Sequence, residues 1–260
     1  MGLVLACGQF APAAGDIAAN IRHIRSLVRE ASRQGAGLLV LPELCLCGYP
    51  PADRAGSWAV RTDGPELAEV AAVGGEHGVA LCVGFAERAQ DGRLYNSAVS
   101  LGPSGTGMSV YRKVHLWVTE KQWATPGSGF AVTEVAGVRT GTWICYDSRF
   151  PEAARTLCRA GATLGLVGAA WFGPAEEWEL AVRSRALDNG MFVAGASALG
   201  SFQGAPFHGA SLIADPHGRL LARAKDGVEQ VICAEYDEEA VSGFRRRLPL
   251  LSDLRPEAYA

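Results

Sequence analysis

Gly141-Thr-Trp-Ile-Cys-Tyr-Asp-Ser-Arg-Phe-Pro-Glu152 places a cysteine at the joint between a predicted strand and a predicted helix. Val138 to Ile144 is rich in β-branched and aromatic residues, as a strand requires. Pro151 and Glu152 then make a good first helical turn, and Gly161 a good stop. Cys145 therefore falls at the carboxyl end of a strand, where open α/β sheets collect ligands. A helix N-terminus facing the same place favours a thiolate, which makes Cys145 the candidate nucleophile. Taken alone, as one of seven cysteines, it reads more readily as a small buried hydrophobe.

Outward from this joint the chain alternates strand and helix. Leu3 to Gln9 reads as a buried strand. Asp16 caps a helix whose apolar residues Ile17, Ile21, Ile24, Leu27, Val28 and Ala31 recur at helical spacing until Gly35. Leu38 to Leu41, bounded by Gly37 and Pro42, is a short apolar strand with Glu43 just beyond its end. Tyr49 to Arg61 suits a loop leading to a helix, and Pro65 to His77 reads as another helix. Strands are predicted at Val79 to Ala86, Tyr95 to Leu101 and Met108 to Val114, the last two joined as a hairpin by Gly-Pro-Ser-Gly-Thr-Gly. Beyond Cys145 follow a helix near Pro151 to Ala160, a strand at Leu164 to Val167, a helix from about Glu176 to Asn189 and a strand at Met191 to Ala196. Ala210 to Ala214, Leu220 to Ala224 and Val228 to Glu235 read as antiparallel strands. With no linker between the halves, the pattern reads as two similar α/β layers in one domain over 1–260, sheets inside and helices outside.

Composition narrows the function. The 260 residues are 48% hydrophobic, enough for a sizeable core, and a formal net charge of -3 offers no basic field for nucleic acid. No apolar run reaches the roughly 20 residues of a membrane span, so a soluble protein is expected. The odd number of cysteines and the lack of a basic-then-apolar N-terminus suit a reduced, cytoplasmic setting. Cys45 and Cys47, on an extended segment, would point to opposite faces, and no second ligand pair accompanies them, so no metal site is expected.

Three reactive groups lie at or beside predicted strand ends: Glu43, Lys113 and Cys145. To cleave an amide, a thiolate must attack the carbonyl, a cation must stabilise the oxyanion and an acid must protonate the departing amine. Taken singly, Glu43 also reads as a helix cap or a partner of Arg54, and Lys113 as an edge-strand charge.

Together with Leu41-Pro-Glu43, Gly48-Tyr49, Asn96-Ser97, Tyr111-Arg-Lys-Val-His-Leu116, Cys145-Tyr-Asp147, Arg149-Phe-Pro-Glu152, Arg185-Ala-Leu-Asp-Asn189 and Asp215-Pro-His-Gly218, these residues make the chain resemble the nitrilase superfamily of carbon-nitrogen hydrolases along nearly its whole length. The resemblance implies a four-layer αββα sandwich, homodimers and no cofactor. It places the family's catalytic Glu, Lys and Cys on Glu43, Lys113 and Cys145, and a second, positioning glutamate on Glu120, a few residues before Pro126-Gly127. Lys113 and the backbone N–H of Tyr146 would hold the oxyanion, and Trp171 and Tyr49, with Trp117 and Trp123, are candidates for lining the substrate pocket; core packing is the alternative for each aromatic.

Cys145-Tyr146-Asp147 resembles the amidase branches rather than true nitrilases, in which Trp-Glu usually follows the nucleophile. Hydrolysis of a small carboxamide is therefore expected. Carbamoylase, nitrilase and acyltransferase chemistry share the triad, while Gly48-Tyr-Pro-Pro-Ala-Asp53 resembles the glutaminase branch. A Cys–His pair using His115, on the same strand face as Lys113, is the mechanistic rival, and a silent binding or scaffold protein the non-enzymatic one. Two stretches depart from the family: Glu177 precedes Trp178 where many relatives carry His, and Ser197-Ala-Leu-Gly200 stands for Asn-Arg-Val-Gly. Losing an Arg and gaining carboxylates favours a neutral or cationic amide, unless the changes merely alter the surface.

Overall fold

The computed structural model describes residues 2–258. The first half runs β1 (Val4–Gln9), α1 (Ile17–Arg33), β2 (Leu38–Val40), α2 (Ala52–Trp58), α3 (Pro65–His77), β3 (Ala80–Arg88), β4 (Leu94–Leu101) and β5 (Met108–Arg112). The second runs β6 (Val132–Val135), β7 (Val138–Ile144), α4 (Pro151–Arg159), β8 (Leu164–Ala169), α5 (Ala175–Asn189), β9 (Phe192–Ser197), β10 (Leu199–Phe202), β11 (Ala205–His208), β12 (Leu212–Ala214), β13 (Leu220–Arg223), β14 (Gln230–Glu235) and α6 (Glu238–Arg247).

Two six-stranded sheets form, ordered β14-β1-β2-β3-β4-β5 and β13-β12-β9-β8-β7-β6, beside the small β10-β11 hairpin. At the heart of each, three strands run parallel: β1, β2, β3 and β7, β8, β9. Parallel strands are buried on both faces, which is why β2 and β8 are wholly apolar apart from glycine and wholly buried. The sheets meet face to face, with α1 and α3 outside one and α4 and α5 outside the other, the expected αββα sandwich. Helix α1 starts where Asp16 accepts a hydrogen bond from the Ala19 N–H (2.9 Å). Its buried face carries Ile21, Ile24, Leu27, Val28 and Ala31, which share a core cluster with Leu39 and Leu41.

Three features differ from the sequence reading. The strand expected with Ala210–Ala214 and Leu220–Ala224 crosses to the other sheet: β14 pairs antiparallel with β1, Val4 opposite Glu235, and so ties the halves together. Strand β6, the β10-β11 hairpin and α6 were not anticipated. Cys45 and Cys47 lie in a turn rather than an extended segment and pack into different clusters. Among the described residues, no helix is long and apolar enough to cross a membrane.

Candidate active site

Glu43, Lys113, Glu120 and Cys145 converge at the carboxyl ends of the parallel strands, between the two sheets. Glu43 lies just past β2, in a segment gripped from both sides by glycines. A Cβ on Gly84 of β3 would sit 2.5 Å from Leu44 N, and one on Gly168 of β8 would sit 2.9 Å from Glu43 N. Neither site tolerates a side chain without moving this backbone. Lys113 follows β5, its N–H donating to Asn96 O and its carbonyl accepting from Gly127 N, both at 2.8 Å. Glu120 opens a short 3₁₀ turn, and its Oε2 accepts from the Trp117 N–H (2.9 Å).

The Lys113 ammonium donates to Glu43 Oε1 (2.6 Å) and Glu120 Oε1 (2.7 Å), all three side chains being fully buried. Asn96 Nδ2 donates to the same two oxygens at 2.8 and 3.1 Å, and the Tyr49 hydroxyl to Glu120 Oε1 at 2.8 Å. Glu43 Oε2 accepts from the Ala170 N–H (2.9 Å), while the Ala170 carbonyl lies 3.8 Å from Cys145 Sγ. One residue after β8 thus touches both the carboxylate and the thiol.

Burial and the neighbouring Glu120 carboxylate outweigh Lys113 and raise the Glu43 carboxyl from 4.5 to about 7. For Glu120, burial pushes up, but the Lys113 ammonium and the N–H and O–H donors win and hold it below its ordinary value. Burial works against the Lys113 charge, yet the two carboxylates raise its pKa above the ordinary lysine value. Two carboxylates a single ammonium apart are therefore driven in opposite directions, the arrangement that separates a proton-carrying group from a fixed charge.

Cys145 begins a 3₁₀ turn after β7 with φ of 43°, a left-handed conformation that is strained for a residue with a side chain. Asp147 locks this turn by accepting from the Ile144 N–H (3.0 Å), the His115 N–H (2.9 Å) and the Tyr111 hydroxyl (2.6 Å). Here the electrostatic expectation fails. Burial first, then the Glu43 carboxylate, raise the Cys145 thiol well above its ordinary value despite Lys113. A thiol so raised needs a base to become a nucleophile.

His115 and Lys113 lie beyond the end of β5 rather than on it. His115 Nδ1 is 2.8 Å from Asp147 Oδ1, so the rival pair would have an orienting acid, but the ring stacks on Phe150 at 3.7 Å, and among the described residues none of its hydrogen bonds reaches Cys145. Arg54 pairs with Asp53 (3.7 Å) instead, and Glu43 lies in a turn rather than at a helix start. A small cleft opens over Cys145, lined by Trp117, Tyr146, Arg149, Trp171 and Phe172. Tyr49 is absent from that lining: its ring packs on Phe172, Phe202 and Phe207 behind the wall. Trp123 also sits behind, against the same cluster. Among the described residues, no group of three His, Cys, Asp or Glu side chains is arranged to hold a metal.

The family model for carbon-nitrogen hydrolases matches residues 4–246. The chain belongs to the carbon-nitrogen hydrolase family. It is an enzyme of the nitrilase superfamily acting on carbon–nitrogen bonds other than peptide bonds, similar in sequence to amidases. It is 37% identical over 250 residues to a nitrilase of Pyrococcus abyssi, covering 92% of each chain. It is 30% identical over 272 residues to the 2-oxoglutaramate amidase of Bacillus subtilis, covering 100% of both. Its fold matches that of Saccharomyces cerevisiae Nit3, a branch 10 member of the superfamily, with a TM-score of 0.87 and 28% identity over 95% of this chain and 94% of that one.

The sequence presents Asn96 only within the Asn96-Ser97 motif, and its contact with both glutamates gives it a place in the site. Its signal was a carboxamide inside a buried strand, where an unpaired polar group is costly. Arg149 and Phe172 were likewise not singled out for the cleft.

Proposed function

We propose that this hydrolase converts a small non-peptide carboxamide to the carboxylic acid and ammonia through a thioester on Cys145. The observation carrying this reading is the buried Glu43–Lys113–Glu120 cluster beside the Cys145 thiol, with Ala170 touching both the Glu43 carboxylate and the sulfur. Glu43, raised to about 7, takes the Cys145 proton as sulfur adds to the carbonyl carbon. The carbonyl π pair moves to oxygen, where Lys113 and the Tyr146 N–H, at the unpaired start of its turn, stabilise the charge. As the carbonyl re-forms, the C–N bond breaks, the nitrogen leaves with the proton from Glu43, and ammonia departs. Glu43 then takes a proton from water; hydroxide adds to the thioester, and the C–S bond breaks as sulfur recovers that proton. Lys113 stays protonated throughout, held by Glu120, which Tyr49 and Asn96 position. No cofactor enters any step.

The similarity to the Bacillus subtilis amidase supports the amide reading, and that to the Pyrococcus abyssi nitrilase favours nitrile hydrolysis as the second. One domain over 1–260, a homodimer and a cytoplasmic setting complete the proposal. Leu180 and Leu187, exposed a heptad apart on α5, support self-association, and seven free thiols support a reducing compartment.

The test is ammonia release from neutral, cationic and anionic carboxamides, N-carbamoyl amino acids and nitriles, with the protein beside Cys145→Ala. Release from simple amides that vanishes in the variant is the expected result. Release from nitriles alone moves the reading to nitrilase, and silence across the panel refutes hydrolysis of these classes.

A further inference from the structure

Arg149 is the cation of the cleft, and it is already occupied. It lines the cleft with Cys145, its guanidinium carbon lies 4.6 Å from the centre of the Trp171 ring, and it pairs with Glu177. Glu177 stands in the first turn of α5, where the helix's positive end favours a carboxylate. A Cβ on Gly173 would lie 3.4 Å from both Glu177 Oε2 and Trp171 Nε1, so the carboxylate and the indole edge border the same small gap. The buried Trp171 Nε1 itself has no hydrogen-bond partner among the described residues.

From this juxtaposition we infer that Glu177 is a selectivity residue: by neutralising Arg149 over Trp171, it directs the cleft toward amides without a distal carboxylate. An unpaired Arg149 would attract an anionic substituent, through the planar fork that suits carboxylates. With Glu177 in place, such a substituent meets a carboxylate and must displace an existing ion pair. An uncharged substituent displaces no ion pair and packs on the aromatic walls of Trp117, Tyr146, Trp171 and Phe172. The inference deepens the amide reading and rests on amides occupying this cleft. Both side chains are roughly half exposed, at 44% and 46%, so water screens the pair and the discrimination is moderate.

Occupancy of the cleft can be read without turnover, by the protection that an amide gives Cys145 against alkylation by iodoacetamide, followed by peptide mass. Butyramide is the neutral probe, and succinamate carries a distal carboxylate. The succinamate-to-butyramide ratio of half-protecting concentrations is expected to exceed about tenfold and to fall by at least about tenfold in Glu177→Gln, a shift of about 1.4 kcal/mol. In the Arg149→Gln/Glu177→Gln double variant the gain should disappear; circular dichroism checks that each variant is folded, and Glu177→Ala replaces a misfolded Gln variant. An unchanged ratio in the single variant, a gain that survives in the double, or no protection by either amide overturns the inference. A shifted ratio without ammonia release from any amide leaves this assignment standing and removes the hydrolytic one.

Discussion

Lys113→Met removes the one cation between two buried carboxylates while keeping most of the side chain's length. At 2.6 and 2.7 Å, with an effective dielectric constant of about 20, each contact is attractive by roughly 6 kcal/mol before desolvation is counted. Desolvation of three ions offsets much of this, but breaking a buried pair leaves charge uncompensated and costs about 3–5 kcal/mol. The cost depends on pH in a defined sense. Without the ammonium, the folded-state pKa of Glu120 rises from below its unfolded value to above it, and that of Glu43 rises beyond about 7. Groups so raised stabilise the fold only while protonated, so stability is lost as pH climbs from the unfolded pKa through the folded one. Urea denaturation followed by circular dichroism should give the full loss near about pH 8 and a loss smaller by at least about 2 kcal/mol near about pH 5.5. Lys113→Met/Glu120→Gln should recover part of the loss near about pH 8 while kcat/KM stays down by roughly a hundredfold or more. A loss independent of pH, or one below about 1 kcal/mol near about pH 8, would refute the coupled-cluster argument.

Two further predictions concern the base and its support. Because Glu43 must be ionised to take the thiol proton and its carboxyl stands at about 7, kcat/KM should fall about tenfold per pH unit below about pH 7; a plateau extending to the ordinary 4.5 would show that another group is the base. Gly84→Ala puts a methyl group 2.5 Å from Leu44 N and 2.6 Å from Pro42 O, so the Glu43 segment must move. It should lower kcat/KM by at least about tenfold and stability by about 1–3 kcal/mol, measured by steady-state kinetics and urea midpoints, and wild-type kinetics would mean that the glycine grip does not position Glu43.

What the sequence disclosed follows physical lines. Helix α1, with its cap and five buried apolar positions, and α3, with its Pro start and Gly78 at φ of 65°, are specified locally and match the expectation closely. Strand β6 is an edge strand with one buried residue of four, and α6 is mostly Glu and Arg around buried Val241 and Phe244, so neither shows a strong period. The crossing of β14 is a non-local pairing that no short window encodes. Within the site, Glu43, Lys113 and Cys145 were legible as complementary chemistries at strand ends. That Asn96 and Tyr49 hold the glutamates depends on side chains up to 71 residues apart in the chain. The thiolate expectation failed because burial and two carboxylates outweigh a helix start that one turn of 3₁₀ separates from the sulfur.

The proposed intermediate is a thioester on Cys145 formed with Glu43 as base. It is tested most directly by acid-quenching the protein during turnover of an amide that it hydrolyses and weighing the peptide that contains Cys145. An added acyl mass on Cys145 that hydroxylamine removes is expected, with neither turnover nor adduct in a folded Cys145→Ala. Turnover retained by Cys145→Ala would contradict it.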